Sequence, residues 1–173
     1  FLDKELNFYL NWKILLFFVS LAAPLLLFYD PSFPYADSLL ASSGLPESIY
    51  SWANFDGVHY LTIINKGYFG TGLIQAFFPL YPILVNSLNK IINNPILAGL
   101  GFNFIIGFLL LKVWKKIVNL ETKVNTKSWA VYLLFLFPTA LFFNSFYSEA
   151  LFLLLVLWSF LNARRGHWLK AGL

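Results

Sequence analysis

From Ile91 to Leu111 the chain runs for 21 residues without a charged side chain. At about 1.5 Å of rise per residue, a helix of that length matches the roughly 30 Å hydrocarbon core of a bilayer. Water is missing there, so the backbone must satisfy its own hydrogen bonds, and a helix does so within one segment. A second stretch, Ser128 to Ala163, holds 36 residues with Glu149 as its one charge. That is too long for a single crossing and fits a helical hairpin. The composition agrees: 59% of residues are apolar, 12% are charged and the mean hydropathy is +0.69, a balance foreign to soluble domains. The expected fold class is an all-α polytopic membrane protein, 1–173 forming a single membrane domain, with the lipid bilayer as its first partner. No nucleic acid is expected as a partner, since the lysines lie beside apolar runs and make no single basic face. Cysteine is absent, which excludes disulfides and thiolate metal sites. Two histidines 108 positions apart give no zinc spacing.

The first span is expected at about 12–29, with Pro24 inside it. Asp30 to Gly72 is polar by comparison, with four acids against one lysine and turns marked by Pro31, Pro34, Gly44 and Pro46. The next apolar segment, Leu73 to Ile92, is interrupted by Pro79 and Pro82. Five lysines, Lys112, Lys115, Lys116, Lys123 and Lys127, then cluster around a short connection. Cytoplasmic loops carry the excess of Lys and Arg, so that connection is expected inside. The acid-rich loop falls outside only if Leu73 to Ile92 does not cross. Spans are therefore expected at about 12–29, 93–113, 128–145 and 150–163, with an outer loop 30–92 carrying interfacial helices at about 54–66 and 74–90. In this arrangement Asp56 and Glu149 share the outer face. The chain lacks a methionine at position 1 and stops at "RRGHWLKAGL", where a further apolar segment could begin, so it is read as an N-terminal fragment. It has no Asn-x-Ser/Thr sequon, and the plasma membrane of a prokaryote is expected rather than the endoplasmic reticulum.

Chemistry concentrates in "WANFDGVHYLTIINKGY", residues 52–68. In a helix entered at Asn54 or Asp56, positions 56, 59, 60 and 63 share a face, and Asp56 lies beside His59 and Tyr60. The plain alternative makes Asp56 an N-cap and leaves His59 and Tyr60 as interface residues. Lys66 is readable as a snorkelling side chain or as a ligand for an anion. In "FFPLYP" the prolines could simply end and restart helices, while Phe78 and Tyr81 offer flat surfaces for a sugar or lipid. Glu149, in "NSFYSE", is expensive inside a membrane, so it lies at a turn, pairs, or lines a wet cavity.

The passages "WANFDGVHYLTIINKGY", "FFPLYPILV" and "FPTALFFNSFYSEALF", in that order, resemble the PIG-V-like mannosyltransferases, related to the second mannosyltransferase of GPI-anchor synthesis. The resemblance covers about residues 50 to 155 and implies a GT-C-class membrane glycosyltransferase. Phe55 stands where that family usually has tryptophan. The resemblance implies transfer of mannose, with inversion, from a polyprenyl-phosphate-linked donor to a glycolipid or glycan acceptor on the extracytoplasmic or lumenal face. It assigns Asp56 as general base. His59, Tyr60, Lys66, Phe78, Tyr81, Tyr147, Ser148 and Glu149 are the candidate substrate-binding residues. No cofactor is assigned beyond the donor lipid, polyprenyl-phosphate mannose; a divalent cation is left open, because one or two carboxylates do not define its site. A rival reading makes the chain a fragment of a transporter or flippase, with Asp56 and Glu149 as coupling groups at the midplane. A third makes it a structural subunit without a site, for which Asp56, His59 and Glu149 would scatter.

Overall fold

The computed structural model describes residues 4–27, 36–69, 72, 74–121 and 127–172. Among these residues the structure is helical and has no strand. The helices are α1 (Lys4–Leu26), α2 (Ala36–Leu39), α3 (Glu47–Tyr50), α4 (Asp56–Lys66), α5 (Leu80–Ile92), α6 (Pro95–Glu121), α7 (Lys127–Leu136), α8 (Glu149–Arg164) and α9 (Trp168–Ala171). Two of them, α1 with 23 residues and α6 with 27, are long and apolar enough to cross a membrane. Leu15, Phe18 and Leu25 project from α1 largely exposed, the arrangement of a helix facing lipid.

The "NNP" at residues 93–95 sets the α5–α6 corner by local chemistry. Asn93 ends α5 in the left-handed conformation, with φ 58°, which Asn tolerates better than most residues. Asn94 then caps α6, its Oδ1 accepting from the Leu97 N–H at 3.1 Å. Pro95 opens that helix at a position where a missing N–H costs nothing.

Several boundaries differ from the sequence reading. α1 starts at Lys4, well before Trp12, and Tyr29 lies outside the described residues, as does Lys123 of the lysine connection. The segment 128–145 is not one continuous helix: α7 stops at Leu136, and Pro138–Phe143 form 3-10 turns. The cause is Pro138, which disfavours the α conformation in the residue before it; Phe137 is extended, with ψ 136°. The segment 74–90 is likewise divided, into a short turn at Ile74–Ala76 and α5. Pro79 occupies the N-cap of α5 and Pro82 its first turn, so the two prolines restart a helix as the plain reading had it.

α6 is the central element and packs against α5, α7 and α8. Glu5 pairs with Lys115 at 2.7 Å, and Arg164 forks onto Glu121 at 2.7 and 3.1 Å. These pairs gather the start of α1 and the ends of α6 and α8 at one end of the molecule. Being half exposed they add little stability, about 0–1 kcal/mol each. The buried groups carry more, and they form two clusters. One, around Tyr9, Trp12, Leu110 and Phe135, joins α1, α6 and α7. The other, around Val58, Tyr81, Ile96 and Phe146, joins α4, α5 and α6 to the turn before α8.

Candidate active site

The turn at residues 144–148, between the 3-10 segment and α8, is held by three parts of the chain. Its Phe146 N–H donates to the Trp52 carbonyl at 2.8 Å, and the Tyr147 hydroxyl donates to the Asn54 carbonyl at 2.8 Å. From α6, fully buried Asn103 donates through Nδ2 to the carbonyls of Ser145 and, at 2.9 Å, Tyr147. From α1, the Lys13 ammonium donates to Asn144 Oδ1 at 2.6 Å while resting 5.1–5.5 Å from the ring centres of Tyr9, Trp12 and Phe104. Beneath the turn the Phe146 ring is 0% exposed and lies against Gly99, where a Cβ atom would fall 2.1 Å from a ring carbon. A Cβ at Gly57 would come within 3.2 Å of the Ala53 Cβ and 3.4 Å of the Phe146 carbonyl. Glycine at both positions lets α4 and α6 close onto this turn.

The loop entering α4 is strained at one residue. Phe55 has φ 53° and ψ −116°, outside the basins open to a bulky side chain, at a cost of about 1–3 kcal/mol. Phe55 also occupies the N-cap position, where no side-chain cap bond is made. Asp56 is therefore the first helical residue and not the cap, which corrects the plain alternative. Its side chain is exposed in the field of the helix N-terminus, where a negative charge is favoured.

Asp56, Tyr60, Phe78, Tyr81, Ser148 and Glu149 line one cleft of about 440 Å³, together with Phe77, Phe152 and other apolar groups of α5 and α8. Tyr60 donates its hydroxyl to Ser148 Oγ at 2.7 Å, tying α4 to the start of α8 across the cleft. Glu149 begins α8 one residue before the expected span, with Oε2 buried and without a hydrogen-bond partner. Burial raises its pKa, the Asp56 charge raises it further, and a bond from its own backbone opposes them. Burial, followed by the charges of Asp56 and Glu149, pushes the Tyr147 phenol up to about 12. The Tyr60 phenol is raised by the same causes, so both hydroxyls remain donors.

The raised carboxyl makes a prediction about pH. Glu149 binds its proton more tightly in the folded state, so its stabilising effect is complete below the ordinary value of 4.5 and is lost as pH climbs through the raised one. Glu149→Gln removes that loss. The variant's unfolding midpoint is expected to gain on the parent as pH increases, measured by thermal unfolding in detergent; a gap that stays constant from about pH 4 to about pH 8 would contradict the burial argument.

The remaining candidates fall elsewhere. His59 does not line the cleft; it stacks on Phe77, which does, at 4.8 Å between ring centres. Lys66 sits exposed in the last turn of α4, about 15 Å along the axis from Asp56, because ten helical steps separate them. Tyr147 lies on the back of the wall. It lines a second cleft of about 400 Å³ with Asn54, Phe55, Phe142 and residues of α1. The segments 54–56 and 147–149 thus divide two clefts. Phe78 is 84% exposed at the mouth of the first, whereas Tyr81 is 2% exposed and packs edge-on against Tyr60 and Phe146. Tyr81 therefore serves the core more than it offers a face.

Lys13, Asn103 and Phe77 escaped the sequence reading. A lysine and an asparagine inside otherwise apolar spans are the signal that could have found the first two, since polar groups there turn inward to partners. As for a cation, Asp56 and Glu149 offer two carboxylates, and no group of three His, Asp or Glu side chains gathers among the described residues. That falls short of a protein-built site for a hard cation, and no step is assigned to one.

Of the three residues whose clustering distinguishes a site from a structural subunit, Asp56 and Glu149 share one cleft and His59 stands outside its lining. No curated protein and no solved structure matches the chain. The family model described as Mannosyltransferase (PIG-V) matches it over residues 6–171. Nearly the whole length is thereby covered, the transporter reading falls away, and the chain belongs to the PIG-V mannosyltransferase family, as a membrane glycosyltransferase.

Proposed function

We propose that the Asp56 cleft transfers mannose from a polyprenyl-phosphate donor to a hydroxyl of a glycolipid or glycan on the outer face of the membrane. The observation that carries this reading is the gathering of Asp56, Tyr60, Ser148 and Glu149 in one cleft whose mouth is apolar, with Phe78, Leu80, Phe152 and Leu155 along it. Apolar lining beside a group of polar side chains fits a substrate that is part lipid and part sugar. The Asp56 carboxylate accepts the proton of the acceptor hydroxyl as that oxygen bonds to the anomeric carbon. The bond from that carbon to the phosphate oxygen breaks on the opposite side, polyprenyl phosphate leaves with the bonding pair, and the configuration inverts. Tyr60 and Ser148 supply hydroxyls for the sugar. Glu149, which lines the same cleft, presents its carboxyl group to the sugar hydroxyls.

The lysine distribution supports the sidedness. Lys112, Lys115 and Lys116 share an end with the start of α1, while Asp56 and Glu149 open other helices remote from it. A site on the outer face has no access to cytoplasmic nucleotide sugars, which is why a lipid-linked donor is proposed. The test is donor choice in membranes holding the full-length protein, with polyprenyl-phosphate mannose expected to sustain transfer.

A further inference from the structure

At the end of the molecule where α1 begins, a separate cleft of about 380 Å³ opens between α1 and the last turns of α6. Lys112, Lys115, Lys116 and Asn119 of α6 line it at helical spacings of three, four and seven, so they stand on one face. Phe108 and Leu111, one turn deeper, form its apolar floor, and Leu6 of α1 closes the side. Among the described residues that line the cleft Glu5 is the one carboxylate, and it is engaged by Lys115 at 2.7 Å, so it does not pair with Lys112 or Lys116. The Lys112 side chain is exposed, and its ammonium sits 4.6 Å from the Phe108 ring centre, over the floor.

The two helices that frame the cleft are the two long and apolar enough to cross a membrane. Their shared charged end therefore lies at headgroup depth, with the apolar floor at the level where acyl chains begin. Scattered lysines would serve to orient a membrane protein equally well. Here they converge on a walled cleft with a greasy base, and that amphiphilic shape matches one phospholipid better than it matches solvent.

We infer that this cleft is a binding site for an anionic phospholipid, its phosphodiester taken by Lys112 and Lys116 and its acyl chains lying along Phe108 and Leu111. The inference is independent of the donor and of the role of Asp56. It is tested by native mass spectrometry of the full-length protein in zwitterionic detergent, titrated with phosphatidylglycerol or phosphatidylcholine. Phosphatidylglycerol adducts are expected to survive where phosphatidylcholine adducts do not, and the variant carrying Lys112→Gln and Lys116→Gln to bind phosphatidylglycerol roughly tenfold or more weakly. Replacing the same two lysines by arginine keeps the charge and should keep the binding. Lys90→Gln, on α5, should change nothing. Equal retention of the two lipids, an undiminished glutamine variant, or full displacement by inorganic phosphate would overturn the assignment. Should the glutamine variant fail to fold, the wild-type protein decides, because selective retention must then fall away in about 1 M salt.

Discussion

Asp56→Asn is expected to leave a folded protein that transfers mannose roughly 100-fold to 10,000-fold more slowly, the range a positioned general base contributes. The substitution conserves shape, so the turn at Phe55 and the start of α4 are retained. Asp56 is exposed at the edge of the cleft; stability should therefore stay within about 0.5 kcal/mol of the parent, the usual range for surface changes. On the proposed mechanism, what is lost is the basicity of the carboxylate, which an amide oxygen lacks. Asp56→Glu keeps the carboxylate but moves it by a methylene, and a displacement of about 1 Å can cost on the order of 100-fold. Unfolding midpoints and transfer rates measured on the same preparations separate the two kinds of effect. A variant with normal transfer would remove Asp56 from the chemistry.

The largest loss of stability is expected at Gly99. A methyl group there would stand 2.1 Å from a Phe146 ring carbon, closer than any real contact, and the ring has nowhere to go because it is fully buried beside Tyr81. Gly99→Ala must expel the ring. The cost approaches that of deleting it, about 3–5 kcal/mol for a buried phenylalanine. Activity falls with it, because the residue after Phe146 is the one bonded to Asn54, and both neighbour the site. Phe146→Ala empties the same space, so the double variant should be less damaged than the two single changes added together. Denaturant unfolding of the three variants checks this, and a stable, active Gly99→Ala would mean that α6 and the turn are not packed as described.

These two residues show what a sequence discloses and what it withholds. The charge-free run at 91–111 announced α6 because bilayer thickness is a physical length that a count of residues can match. The "NNP" corner was decided within three residues, by one αL position, one cap and one ring. Lysine counts led to the expectation that Asp56 and Glu149 share a face, although 93 positions separate them, and the two line one cleft. The rest depended on contacts between distant segments. Lys13 meets Asn144 across 131 positions, and Asn103 reaches the carbonyls of Ser145 and Tyr147 across 42 and 44. No local pattern encodes such pairings. Nor does any pattern disclose the positive φ of Phe55, a strain that the surrounding packing imposes. Within the apolar run 128–163 Pro138 is a local signal for a break, and Phe137 before it is extended.

The central claim is that this cleft takes mannose from a lipid. Its most direct measurement supplies membranes of the full-length protein with radiolabelled mannose, either on polyprenyl phosphate or on a nucleotide, and follows the label into glycolipid and glycan. Label is predicted to arrive from polyprenyl-phosphate mannose, in the inverted configuration, and to be lost with Asp56→Asn. Label arriving from the nucleotide donor alone, or arriving equally with Asp56→Asn, would contradict it.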